Sequence, residues 1–120
     1  MPQYRKLYTK STESLDINEM PDDFTRLLWL TLPLGLDREG RGMDMPAWIK
    51  AKVMPLREDV TYEMITTAMN WYADRGMIER YTVKNRNYFL LPTWHKYQGN
   101  TTKEKDSDFP APIYSRPTPE

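Results

Sequence analysis

The sequence of 120 residues contains no cysteine and only one histidine, His95. Without cysteine the chain has neither disulfides nor thiolate zinc ligands, which excludes a disulfide-stapled fold and a zinc finger. A single histidine with no acid near it in the sequence provides neither a zinc ligand set nor a pair of nucleophile and base. We therefore expect a protein that is not an enzyme and that uses no metal and no other cofactor.

Long apolar runs are also missing. The longest, LLWLTLPLGL, is too short to span a bilayer, and the N-terminal MPQYRKLYTK does not resemble a signal peptide. These absences predict a soluble, cytoplasmic protein with no membrane partner.

The sequence has no net charge, because 17 basic residues balance 17 acidic ones. This balance argues against non-specific binding of the whole chain to polyanions. The distribution is uneven, since no Asp or Glu occurs between Arg80 and Lys103. That stretch contains five cations, which predict a local positive field: Arg80, Lys84, Arg86, Lys96 and Lys103. Solvated charge on an ordinary surface is the alternative interpretation.

Three segments have helical patterns. PDDFTRLLWLTLPLGLD opens with a proline and two acids, which suit a helix start, and Pro33 and Gly35 predict a kink or an end. After a turn at DREGRG, PAWIKAKVMP reads as a short helix between two prolines. A third helix is expected from a cap at Thr61 to about Arg75, with Gly76 as a left-handed stop. Four residues with helical spacing form its predicted buried stripe: Ile65, Ala68, Met69 and Tyr72.

A β-hairpin is predicted after the third helix. MIERYTV and YFLLP are rich in β-branched and aromatic residues and are separated by KNRN. Lys84 and Asn85 are the expected central residues of the turn, with Asn85 suited to a positive φ. The predicted fold class is therefore α+β, a winged helix-turn-helix with a three-helix core and a two-stranded β-hairpin wing.

The chain divides into two parts by composition. Residues 1–98 carry the helical and strand patterns and are expected to form the winged-helix domain. Residues 99–120 are polar and hold four of the ten prolines, which predicts an extended tail or linker that contributes little to the core.

The helix and the hairpin suggest how such a domain contacts DNA. A helix with a polar outward face fits the major groove, and a basic hairpin tip reaches phosphates or the minor groove. Ten candidate DNA contacts follow: Tyr62, Thr66, Thr67 and Asn70 on the helix; Arg80, Lys84 and Arg86 on the hairpin; Lys50 and Lys52 on the short helix; and Lys96. Asparagine suits an adenine edge. Solvated surface, and lysines that protect an exposed strand from aggregation, are the alternative interpretations.

The segment WHKYQ after the hairpin contains the histidine. We expect it to return across the domain, with Trp94 and Tyr97 packed and with His95 and Lys96 at the surface.

Several motifs carry a family resemblance. Gly76-Met77-Ile78 leads into the hairpin, and the run from Pro92 to Gln98 has the pattern Pro-x-Trp-His-Lys-x-Gln. DREGRG and PAWIKAKVMP fit an Asp-x-x-Gly-Arg turn followed by a short helix. Together they resemble the N-terminal winged-helix domain of phage replication proteins, the replisome-organiser and DnaD-type primosome group. The resemblance covers roughly residues 4–98, and the tryptophan-containing segment is its most specific part.

The resemblance implies a role in phage DNA replication initiation in the cytoplasm of a bacterial host. Its implied partners are double- or single-stranded DNA, the replicative helicase or its loader, and further copies of the chain in a homo-oligomer. Two rival functions use the same fold. One is a phage transcriptional regulator that binds an operator with paired half-sites, and the other is an interaction or oligomerisation module that does not bind DNA.

Overall fold

A computed structural model describes residues 3–113, and the fold is of the α+β class. The helices are α1 (Leu15–Glu19), α2 (Asp23–Thr31), α3 (Pro46–Val53), α4 (Tyr62–Asp74) and α5 (Trp94–Gln98), with 3₁₀ turns at Thr9–Glu13 and Leu32–Gly35. The strands are β1 (Arg41–Met43), β2 (Glu79–Val83) and β3 (Arg86–Leu90). None of the helices in this part of the chain is both long enough and apolar enough to cross a membrane.

The three predicted helices are confirmed as α2, α3 and α4. The Asp22 carboxylate caps α2 by accepting the backbone N–H of Thr25, and the helix passes into a 3₁₀ turn before Pro33, where a kink or an end was expected. The hydroxyl of Thr61 caps α4 by accepting the N–H of Met64. At the other end, Gly76 takes the predicted left-handed conformation, with φ of 73°.

The four predicted stripe residues of α4 are all buried. Tyr72 is the largest of them, and its hydroxyl donates a hydrogen bond to the backbone carbonyl of Thr25 in α2. Burial raises the pKa of the Tyr72 hydroxyl, so this group remains a donor. The stripe therefore fixes how α4 is rotated against the rest of the core.

The strands form one antiparallel sheet in the order β1-β3-β2. The predicted hairpin is confirmed, and both central turn residues have a positive φ, 52° at Lys84 and 66° at Asn85. This is the twist that a two-residue hairpin turn requires.

The sheet has a third strand that was not predicted from the sequence, because β1 pairs with the free edge of β3. The carboxylate of Asp37 accepts the N–H groups of Glu39 and Arg41 and so closes the turn that was expected at DREGRG. Gly40 has φ of 72°, and from Arg41 the chain is extended. The strand is only three residues long and has no alternating pattern, so its pairing with β3 depends on a contact remote in sequence.

Trp94 anchors α5 to the Asp37–Gly40 turn. Its side chain is buried, and its indole N–H donates to the carbonyl of Arg38 at 2.7 Å. A Cβ atom at Gly40 would lie 2.7 Å from the indole ring, so only glycine allows this approach. As expected, Trp94 packs whereas His95 and Lys96 are exposed. Tyr97 packs edge-on against Tyr8 but remains 41% exposed.

Residues 101–110, which we call the C-terminal strap, pack against the domain. Phe109 lies between the rings of Trp48 and Tyr88, at centroid distances of 5.6 and 5.9 Å. The Tyr81 hydroxyl donates to the carbonyl of Pro110 at 2.7 Å, and Arg41 donates to the carbonyl of Phe109 at 3.0 Å.

The packing of the strap was not predicted from the sequence, although none of residues 101–110 belongs to the buried hydrophobic core. Its apolar residues are too few to show a period, and they contact the sheet singly rather than as a stripe. The strap contains turns and bends but no helix or strand. Residues 114–120 of the predicted tail, and residues 1 and 2 of the predicted domain, lie outside the described residues.

Replacing Phe109 by Ala should destabilise the fold, because the ring fills the space between a helix and the sheet. For a half-buried phenylalanine we expect a loss of about 1–2 kcal/mol and a melting temperature lower by several degrees. Ile113→Ala is the matched control, since Ile113 is 73% exposed. Thermal melts followed by circular dichroism test this, and equal melting temperatures for the two variants would contradict the packing role of the strap.

Trp94 and His95 are neighbours whose substitutions should differ sharply. Trp94→Ala removes a buried indole and should cost roughly 3 kcal/mol. His95→Ala removes an exposed side chain and should change stability by less than about 0.5 kcal/mol. Urea unfolding of both variants measures the difference, and a comparable loss in the two would show that α5 is held by something other than the indole.

Candidate nucleic-acid interface

The outward face of α4 carries the four helix residues predicted to contact DNA. Tyr62, Thr66 and Asn70 follow one another at intervals of four residues, with Thr67 beside them, and all four are exposed. The Thr66 hydroxyl donates to the carbonyl of Tyr62 at 2.9 Å. The structure therefore brings these four side chains together in an uncharged polar row.

Two carboxylates mark the ends of this row. Glu63 lies in the first turn of α4 and Asp74 is its last residue, and both are exposed. Close approach of a phosphate backbone is therefore least favourable at the ends of the helix and most favourable at its middle.

Arg80 connects the row to the sheet. Its Nη1 donates to the side-chain oxygen of Asn70 at 2.8 Å, and its Nε lies 2.9 Å from Oδ2 of Asp44. These contacts join α4, β2 and the residue that follows β1. Sequence reasoning selected Asn70 and Arg80 separately, and the structure places them in direct contact.

Asp44 is the residue that the sequence did not identify. Burial raises the pKa of the Asp44 carboxyl above its ordinary value, and Arg80 opposes this effect. The carboxylate neutralises much of the Arg80 charge, which sequence reasoning treated as available to phosphate. Nothing in the local sequence MDMP indicates this pair, because it depends on β1 joining the sheet.

The hairpin tip carries the unpaired cations of this surface. Lys84 and Arg86 are exposed, and within residues 3–113 their side chains form no ion pair and no hydrogen bond. A hydrogen bond of 2.9 Å between Thr82 and Asn87 braces the two strands below the tip. Lys84 lies four residues beyond Arg80 along β2, a backbone distance of about 13 Å.

The cations of α3 are less free than those of the tip. The ammonium of Lys52 lies 5.8 Å from the centre of the Trp48 ring, and Lys50 is half-buried. Hydrogen bonding from Arg57 lowers the pKa of the Asp59 carboxyl to about 2, with a further contribution from the Lys50 charge. Lys50 and Lys52 thus remain candidate phosphate contacts, although Lys52 lies near an aromatic ring and Lys50 is only partly accessible.

Lys96 does not join the others. It lies on α5, which follows the end of β3 remote from the hairpin turn, and its ammonium lies 5.4 Å from the centre of the Tyr97 ring. A groove of about 790 Å³ opens nearby, between the N-terminal segment and α5. None of the ten predicted contact residues lines this groove.

His95 forms a surface pair instead of a reactive group. Its Nε2 lies 3.1 Å from the Glu39 carboxylate and its Nδ1 lies 3.3 Å from the carbonyl of Gly99. Hydrogen bonding with His95 lowers the pKa of the Glu39 carboxyl. No group of three or more His, Asp or Glu side chains placed to hold a metal ion occurs in the part of the chain that the structure describes. The pair links α5 to the Asp37–Gly40 turn.

Comparison of the chain with protein-family models, with curated proteins and with solved structures gives no match. Interpretation of the interface therefore depends on its own geometry and charge.

Proposed function

We propose that the chain is a winged helix-turn-helix that binds DNA and acts in phage DNA replication initiation. The order α2, α3, α4, β2, β3 is the order expected of such a domain, and β1 adds a strand beside the hairpin. In this reading α3 and α4 form the helix-turn-helix, α4 enters the major groove, and the hairpin is the wing.

One observation carries the proposal: an uncharged polar helix face is joined to a hairpin whose tip is cationic. Arg80 holds the two elements together through Asn70. Uncharged side chains suit base edges, and unpaired cations such as Lys84 and Arg86 suit phosphates.

The role in replication rests on the resemblance of the segments around Gly76 and Trp94 to phage replication proteins. It includes binding of single- or double-stranded DNA, recruitment of the replicative helicase or its loader, and self-association, in the cytoplasm of the bacterial host. The chain acts by binding and not as an enzyme. A transcriptional regulator would use the same face on an operator with paired half-sites.

An interaction module is the second candidate, and a specific observation favours it. Leu7, Tyr8 and Leu34 line the groove beside α5 and are 65, 44 and 55% exposed. Exposed apolar side chains in a groove are typical of protein contacts. Salt separates the two functions, because phosphate contacts weaken steeply as salt rises whereas an apolar interface responds little.

Replacing Lys84 and Arg86 together by Ala should weaken binding to all duplexes alike. Each lost phosphate contact should lower the magnitude of the slope of log affinity against log salt by about 0.9, and sequence preference should survive. Fluorescence anisotropy with one preferred and one scrambled duplex at several salt concentrations measures this. The control is Lys103→Ala with Lys105→Ala on the exposed strap. Equal slopes for both double variants would refute a wing that contacts phosphate.

Asp44→Asn tests whether Arg80 lies at the interface. The substitution removes the negative charge but keeps an oxygen that accepts from Arg80, so DNA affinity and the salt slope should both increase, the slope by up to about 0.9. Burial raises the pKa of Asp44 in the folded chain, so folding disfavours the ionised carboxyl. The contribution of Asp44 to the stability of the fold therefore falls as pH rises above the pKa that this carboxyl has in the unfolded chain.

The asparagine variant is therefore expected to fold as stably as the parent chain at neutral pH. Asp106→Asn is the control. Asp106 lies in the strap, pairs with Arg38 of the Asp37–Gly40 turn, and has a side chain that is 88% exposed. If Asp44→Asn and Asp106→Asn change DNA affinity equally, Arg80 is a structural residue only.

A further inference from the structure

The contact between Arg80 and Asn70 determines which part of the Asn70 amide faces outward. A guanidinium group has donors and no acceptor, so the Asn70 atom that it meets at 2.8 Å is the side-chain oxygen. The amino group of the same amide then points away from Arg80. Asn70 is exposed, and its amino group makes no hydrogen bond within residues 3–113. The outward end of this side chain is therefore a donor.

Arg80 is itself held in place, which makes the orientation of the amide a property of the fold. Its Nε is paired with Asp44 at 2.9 Å, so the guanidinium is fixed between α4 and the residue after β1. Rotation of the amide by half a turn would place its amino group against the guanidinium, where two sets of donors face each other. The Asn70 amide is thus stable only with its oxygen toward Arg80.

The hydroxyl of Thr66, in contrast to the Asn70 amide, presents an acceptor. Thr66 lies one turn before Asn70 on the same face, and its hydroxyl proton is committed to the carbonyl of Tyr62. Thr66 consequently presents lone pairs and no proton to a ligand. Of these two residues, Asn70 alone offers a donor.

We infer that Asn70, oriented by Arg80, is a specificity residue that selects a base with an acceptor edge. This inference rests on the proposed binding of DNA through α4. In the major groove guanine presents the acceptors N7 and O6 and thymine presents O4, whereas cytosine presents an amino donor. Adenine presents the acceptor N7 beside an amino donor, so an outward amide nitrogen without its oxygen matches only half of that edge. The paired contact between asparagine and adenine requires the amide oxygen and nitrogen to face the base together. Arg80 holds the oxygen toward the hairpin, so the ligand is duplex DNA with guanine or thymine opposite Asn70, and adenine is not favoured.

Selection from a random duplex library by the full chain tests the inference. The parent chain should enrich guanine or thymine at one position, by about tenfold or more over cytosine. In Asn70→Asp the outward donor becomes a carboxylate oxygen, while the other oxygen still accepts from Arg80, so the fold should keep its melting temperature. The preference at that position should be lost or should move to a base with an amino group. The new charge repels every duplex alike. The ratio of the affinities for two duplexes that differ only at that position therefore reports the base preference alone.

Asn100→Asp is the matched control, because it adds the same charge at an exposed asparagine outside the interface and keeps the oxygen that accepts from Thr102. This variant should keep the preference for guanine or thymine. Arg80→Met, which removes every donor to the amide, should broaden the preference to include adenine.

The outcomes separate this inference from the proposed function. Salt-dependent duplex binding with no base preference, or a preference that Asn70→Asp leaves unchanged, overturns the role of Asn70 while DNA binding stands. Enrichment of adenine by the parent chain also overturns it. Absence of duplex binding at any salt concentration overturns both the proposed function and the inference that rests on it.

Discussion

Burial of one face of α4 is the constraint on which the rest of the structure depends. Ile65 and Tyr72, at the two ends of the stripe, are fully buried, and Tyr72 is also bonded to α2. Because residues three and four apart share a face, burying this stripe leaves Thr66 and Asn70 directed outward. The same rotation brings Asn70 within reach of Arg80 on β2. The composition of the candidate interface is thus a consequence of how the core packs.

Arginine and lysine have different roles in this chain. Arg5 pairs with Glu104, Arg38 with Asp106 and Arg75 with Glu19, and each pair ties a distant segment to the domain. The planar guanidinium suits such fixed pairs, whereas lysine is a mobile point charge. The positive charge of residues 80–103 is therefore offset at Arg80, whereas Lys84 and Arg86 at the hairpin tip form no ion pair within residues 3–113.

Local patterns predicted α2, α3, α4 and the hairpin, whereas contacts remote in sequence determined the geometry of the site. The helical spacing in α4 and the turn at Asn85 depend on neighbouring residues, so the sequence sufficed for them. The pairing of β1 with β3, the docking of Phe109 and the ion pair of Asp44 with Arg80 join residues more than 20 positions apart. None has a local signal. The exposed residues of the candidate interface could accordingly be selected from the sequence, but the neutralisation of Arg80 and the orientation of Asn70 could not.

In the proposed complex, DNA contacts the middle of α4 and the tip of the hairpin. Amide NMR spectra of the ¹⁵N-labelled chain, titrated with a short duplex at low and high salt, test this placement most directly. Binding of DNA to this surface should change the amide shifts of Thr66, Thr67, Asn70 and the Lys84–Arg86 turn, and these changes should diminish at high salt. Changes confined to the groove around Tyr8 and Tyr97, or changes that salt does not affect, would contradict this placement.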